Sequence, residues 1–132
     1  MIAYVTVGAN DLKAAGRFYD RALEPLGLVR IFADTHEIGY GPAERTPGER
    51  HSRFYVVTPY DGGRASFGNG TNVAFEAPSR EAVDRFHRAC LAEGGRDEGA
   101  PGLRPHYHEN FYGAYARDLD GNKLVAVFEK PV

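Results

Sequence analysis

The chain repeats itself, and the repeat limits what it can fold into. Residues 4–27, YVTVGANDLKAAGRFYDRALEPLG, return 68 positions later without a gap as residues 72–95, NVAFEAPSREAVDRFHRACLAEGG. Seven of the 24 positions are identical: Val5/Val73, Ala9/Ala77, Ala14/Ala82, Arg17/Arg85, Phe18/Phe86, Leu23/Leu91 and Gly27/Gly95. A gapless repeat of this length points to two copies of one supersecondary unit, each with the same apolar stripe to bury.

The physical roles agree better than the letters. Each copy opens on a short run of strand formers, IAYVTV or TNVAF. A polar residue able to cap a helix follows: Asn10 or Asp11 in the first copy, Ser79 in the second. Apolar residues then recur at helical spacing, at Leu12, Ala15, Tyr19, Ala22, Leu23 and Leu26, and at Ala82, Val83, Phe86, Ala89 and Cys90. Both stretches end at glycine, Gly27 or Gly94-Gly95. Beyond them the pattern turns strand-like over Leu28–Asp34, Glu37–Gly41 and Arg53–Thr58. In the second copy it does so over Arg96–Gly99, Phe111–Arg117 and Lys123–Phe128. Asp118–Asn122, DLDGN, reads as the hairpin turn between the last two. The predicted fold is α+β, a single domain over 1–132. Module one takes about 1–60, a linker about 61–70, and module two about 71–132.

Composition narrows the function. Sixteen basic residues against 18 acidic ones leave a net charge of −2, with no run of like charge. Nucleic acid and anionic membranes are therefore not expected partners. No apolar stretch approaches the roughly 20 residues that span a bilayer, and the N-terminal residues do not read as a secretion signal. One cysteine, Cys90, rules out a disulfide framework and falls in a helical core pattern. The expected setting is the reducing cytoplasm.

Three segments carry a family resemblance: YVTVGANDLKAAGRFYDRALEPLGL at the start, NVAFEAPSREAVDRFHRACLAEGG in the middle, and GAYARDLDGNKLVAVF at the end. Together they resemble the vicinal oxygen chelate superfamily, which includes glyoxalases, extradiol dioxygenases, fosfomycin-resistance enzymes and bleomycin-resistance proteins. The resemblance covers nearly the whole chain. It implies two tandem βαβββ modules forming a curved eight-stranded mixed sheet around a pocket, and a possible homodimer. It also implies a small carbonyl or aromatic compound as ligand, handled by a lyase, isomerase or dioxygenase, or sequestered without turnover.

Metal-using members of that superfamily place ligands on the first and last strands of each module. The matching positions here are Tyr4, Val57, Asn72 and Val125. Valine has no donor atom, and a neutral phenol and amide are weak ligands. No cofactor is therefore expected at the usual place. A displaced divalent-metal site at His106 and His108 stays open as an alternative.

The segment GLRPHYHENFYGAYAR holds the densest chemistry, with two histidines and three tyrosines between His106 and Tyr115. Histidine exchanges protons near neutral pH, and tyrosine donates to an oxyanion. His106, His108 and Tyr115 are the expected catalytic residues. Strand alternation aims Tyr4, Thr6, Tyr55, Asn72 and Lys123 at the cavity. Tyr4, Asn72, Tyr55, Tyr107, Tyr112 and Lys123 are thus the expected substrate-binding residues, with Lys123 able to meet an anion. His87, at the position matching Tyr19, reads as a surface or boundary residue, and His36 and His51 flank loops.

Overall fold

The computed structural model describes residues 1–132. In chain order the elements are β1 (Val5–Gly8), α1 (Leu12–Leu23), a 3-10 turn (Glu24–Leu26), β2 (Leu28–Ala33), β3 (Glu37–Pro42) and β4 (Phe54–Val57). The second module has β5 (Asn72–Glu76), α2 (Arg80–Ala92), β6 (Arg96–Leu103), β7 (Tyr112–Arg117) and β8 (Lys123–Phe128). The repeat is thus a repeat of structure, βαβββ twice. No helix is long and apolar enough to cross a membrane.

The strands form two four-stranded sheets, ordered β1-β4-β3-β2 and β5-β8-β7-β6. In each, the first strand lies parallel to the last and the other pairs are antiparallel. The eight expected strands therefore divide into two mixed sheets, neither closed nor hydrogen-bonded to the other. The reason is pairing: β1 uses one edge, on β4, and β5 one edge, on β8. Side chains join the modules instead. Phe54 meets Phe75 edge-on with ring centroids 5.1 Å apart, and both helices share one core.

That core follows from the two periodicities. Phe18, Tyr19, Ala22 and Leu23 of α1 and Val83, Phe86 and Cys90 of α2 turn inward. They meet Ile38, Tyr40, Phe54 and Val56 from one sheet and Ala114, Ala116, Leu124 and Ala126 from the other. Burying each large side chain stabilises the fold by roughly 1.5–3 kcal/mol. Helix starts are fixed by side-chain caps: Asp11 accepts from Ala14 N at 3.0 Å and Ser79 from Ala82 N at 3.1 Å. His87, expected near the surface, is 8% exposed, and its ring nitrogen Nε2 lies 2.9 Å from Asp97 Oδ1. The helix turns it onto β6.

The Asp118–Asn122 turn does more than close a hairpin. Asp118 Oδ1 accepts from the backbone N–H of Asp120 and of Asn122, both at 2.9 Å. Its Oδ2 accepts from Asn122 Nδ2 at 2.9 Å and from the Tyr19 hydroxyl of α1 at 2.5 Å. Asp120 Oδ1 accepts from Asn10 N and Nδ2 at 3.0 Å, and Asn122 Nδ2 donates to Gly8 O at 3.1 Å. One turn of module two therefore grips the β1–α1 junction of module one. The sequence left the first helix cap open between Asn10 and Asp11; Asp11 caps, and Asn10 serves this clasp.

β6 runs longer than the sequence expectation, to Leu103 through Pro101. It is an edge strand paired only with β7, so a missing N–H is tolerated. The register shifts at Asp97/Gly99 and Gly99/Gly102 absorb the misfit.

Candidate functional site

The register of module two decides which side chains face away from the helices. Tyr115 pairs with Val125 and Arg117 with Lys123 on β7–β8, while Asn72 pairs with Lys123 and Ala74 with Val125 on β5–β8. Residues paired across a ladder point to one face. Tyr115, Arg117, Asn72, Lys123 and Val125 therefore share the face opposite the helices.

On that face lies a cleft of about 320 Å³ lined by Glu98, Gly99, Arg104, His106, Tyr107, Tyr115 and Lys123. Four expected site residues, His106, Tyr107, Tyr115 and Lys123, meet there. The loop between β6 and β7 supplies the wall. His106 and Tyr107 pack ring to ring at 4.2 Å, and Tyr107 packs on Phe111 at 5.2 Å. Tyr115 forms the floor. Burial pushes its hydroxyl above the usual tyrosine range, the nearby Tyr107 adds to this, and Arg104 opposes it. The phenol therefore stays protonated, a donor at neutral pH.

Arg104 was missed by sequence reasoning. Its guanidinium lies 5.4 Å from the Tyr115 ring centroid, as does Lys123 Nζ. Nη1 donates to Gly102 O at 2.8 Å and Nη2 to Ala100 O at 2.7 Å, which fixes it across β6. The neighbouring glycines make the room. A Cβ on Gly99 would stand 3.0 Å from Tyr115 Cδ2 and 3.2 Å from Arg104 Nη2, and one on Gly102 would stand 3.3 Å from Arg104 Nη1. The signal in the sequence was Gly99 and Gly102 just ahead of an arginine in a segment otherwise read as loop.

Other expected residues fall elsewhere. His108 Nδ1 accepts from Asn110 N at 3.1 Å, so it braces its own loop and does not line the cleft. Tyr112 is on the opposite face of β7 from Tyr115, donating to Asp84 of α2 at 2.7 Å beneath Arg80. Tyr4 and Tyr55 sit together on module one, rings 5.2 Å apart and edge-on. Arg50, near the end of the long loop, lies 4.6 Å from the Tyr4 ring centroid and donates to the Tyr55 hydroxyl at 3.1 Å. The loop between β3 and β4 thus reaches this face of module one through Arg50. A larger cleft of about 590 Å³ opens at the end of β4, lined by His36, Glu37, Val57, Thr58, Tyr60 and neighbours. It gathers none of the expected site residues, and His36 and Glu37 are its only ionisable groups apart from the Tyr60 phenol.

The donor set does not fit a divalent metal at the superfamily's usual place. Val57 and Val125 offer no lone pair, leaving Tyr4 and Asn72. No three His, Cys, Asp or Glu side chains converge anywhere in the chain, His106 and His108 included.

The fold and site can be set beside known proteins. A family model of the Glyoxalase/Bleomycin resistance protein/Dioxygenase superfamily matches residues 1–126. A solved glyoxalase/bleomycin resistance protein from Albidiferax ferrireducens T118 is similar at 38% identity, covering 98% of both chains with a TM-score of 0.83. Two others share the fold. A glyoxalase-related enzyme from Fulvimarina pelagi has 21% identity, covers 97% of this chain and 87% of its own, and gives a TM-score of 0.71. The fosfomycin resistance protein FosX from Listeria monocytogenes has 15% identity, covers 98% and 93%, and gives 0.67. No curated protein matches the chain. With its repeated βαβββ units and a family match over nearly its whole length, the chain belongs to the Glyoxalase/Bleomycin resistance protein/Dioxygenase superfamily.

Proposed function

We propose that this protein handles a small carbonyl or aromatic compound in the open cleft of module two, without the superfamily's divalent metal. One observation carries the reading. The polar and aromatic groups converge at His106, Tyr107, Tyr115 and Lys123, while the usual ligand positions hold Tyr4, Val57, Asn72 and Val125. A concave site with an aromatic wall facing several charged and hydrogen-bonding groups suits a small ring or carbonyl compound that carries polar substituents. Tyr115 can donate to a carbonyl or oxyanion, and His106 is the group placed to move a proton. Asn72, beside Lys123 in the ladder, supplies an amide at the margin.

Sequestration without turnover is favoured over a lyase, isomerase or dioxygenase reaction by one feature. His106 makes no hydrogen bond to an orienting group, and a working base is normally held by one. Thermal-shift screening of small aromatic acids, phenols and α-keto compounds tests the proposal, with product analysis of every hit. Stabilisation that disappears in Tyr115→Ala supports it; hits that persist in Tyr115→Ala would move the site elsewhere.

We also propose a homodimer. The chain exposes 7869 Å², against about 6,900 Å² for a compact monomer of its mass. Tyr4 is 50% exposed and Tyr107 64%. A second copy over these faces would cover them, and sedimentation equilibrium tests it. A cytoplasmic location is in keeping with a single cysteine that has no disulfide partner.

A further inference from the structure

We infer that the cleft of module two selects an anion: the compound it holds carries a carboxylate or a comparable oxyanion, met by Arg104, Lys123 and the Tyr115 hydroxyl. This rests on the proposed site and narrows its ligand class. The charges around the cleft do not cancel. Its one carboxylate, Glu98, is taken by Arg117, whose Nε donates to Glu98 Oε1 at 2.8 Å. Lys123 Nζ forms no ion pair or hydrogen bond, and Arg104 bonds only to the carbonyl oxygens of Gly102 and Ala100. Two positive charges in one cleft are left without a bonded carboxylate.

A solvated surface charge is the ordinary fate of a lysine or arginine. Three features separate this pair from that case. Arg104 is held in place by its two carbonyl bonds, so little ordering remains to be done when a ligand arrives. Three of its five N–H donors remain free. Its seat is close against glycine at 99, where a Cβ would stand 3.0 Å from Tyr115 and 3.2 Å from the guanidinium. Both cations also lie 5.4 Å from the ring of Tyr115, whose hydroxyl has no protein partner and stays protonated. Two cations and one neutral donor around an open volume of about 320 Å³ form a receptor for a planar oxyanion. The aromatic wall of His106 and Tyr107 would stack on whatever the anion is attached to.

The test is an NMR titration of the full chain with ¹³C-labelled tyrosine, with the Tyr115 signal assigned by its loss in Tyr115→Phe. The probes are two pairs of near-isosteres, benzoate with benzamide and pyruvate with pyruvamide, at constant ionic strength. The expected result is a saturable Tyr115 shift with at least one anion, its amide binding at least about tenfold more weakly. Lys123→Gln, which breaks no hydrogen bond or ion pair within the protein and gives up only the cation–π contact with Tyr115, should weaken the anion by roughly tenfold or more. Arg104→Gln should do at least as much, and Arg104→Lys, which keeps the charge, should recover part. An amide that binds as well as its anion, with Lys123→Gln unchanged, overturns the anion inference and leaves the site standing. No saturable shift at Tyr115 from any of the four probes overturns both.

Discussion

Removing one oxygen from α1 tests how the two modules are joined. Tyr19 is fully buried, and its hydroxyl donates to Asp118 Oδ2 at 2.5 Å across the module boundary. In Tyr19→Phe the ring still fills its place against Phe18 and Phe54, so no large cavity opens. What is lost is one buried hydrogen bond to a charged acceptor, worth about 1.5–3 kcal/mol. Asp118 keeps three other donors, so the low end applies, about 1.5 kcal/mol. With unfolding entropy near 2.1 cal/mol/K per residue, that lowers Tm by about 5 °C. The pH dependence makes the test sharper. Burial first, then the charge and hydrogen bond of Asp118, raise the Tyr19 hydroxyl well above its ordinary 10.0. A group raised by folding stabilises below its unfolded value and loses that contribution as pH climbs past it. At pH 11 the wild type has given up about 1.4 kcal/mol on this account, while Phe has nothing to ionise. The two proteins should therefore differ at pH 7 and nearly converge at pH 11. Urea denaturation at both pH values, with unchanged m, reads this directly. A gap at pH 7 below about 0.5 kcal/mol, or one that stays constant to pH 11, would refute the role given to this contact.

Tyr112→Phe should cost roughly 1 kcal/mol of stability through the lost bond to Asp84, without altering ligand binding at Tyr115, which faces the other way; paired denaturation and titration check this. Gly99→Ala should weaken binding in the module-two cleft, because its Cβ crowds Tyr115 Cδ2 at 3.0 Å and Arg104 Nη2 at 3.2 Å, and should lower Tm as well, because Gly99 holds a φ of 159°; the same titration and a thermal melt read it. Cys90, fully buried with its thiol pushed up to about 12, should react with a disulfide reagent at pH 8 only as fast as the protein opens. A rapid burst of one equivalent in native protein would contradict that placement.

The fold was legible because the repeat carried it. Ser79 and Asp11 cap where polar residues precede helical periodicity, and Phe18 and Phe86 sit in the core at matching positions. Alternation likewise aimed Asn72 and Lys123 at one face, where their ladder pairing puts them. What the sequence left unread depends on irregular backbone. β6 passes through Gly99, Pro101 and Gly102, residues that read as loop, and only its pairing with β7 brings Arg104 beside Tyr115. Tyr107 and Tyr112 sit in one aromatic run, yet Tyr107 lines the cleft on the loop and Tyr112 turns to α2. His108 likewise spends a ring nitrogen on its own loop, a local bond that no periodicity signals. The clasp built on Asp118 and Asp120 was hidden because a DLDGN turn serves any hairpin; its partners Tyr19 and Asn10 lie about a hundred residues away.

Metal content measures the central claim most directly. Protein purified without an affinity tag or chelator would be incubated with Mn, Fe, Co, Ni or Zn salts, desalted, and analysed by elemental mass spectrometry. The expected result is far below one equivalent of every ion, because Tyr4, Val57, Asn72 and Val125 cannot supply a ligand set and no other cluster replaces them. Close to one equivalent of a single ion, retained through desalting, would contradict the metal-free cleft.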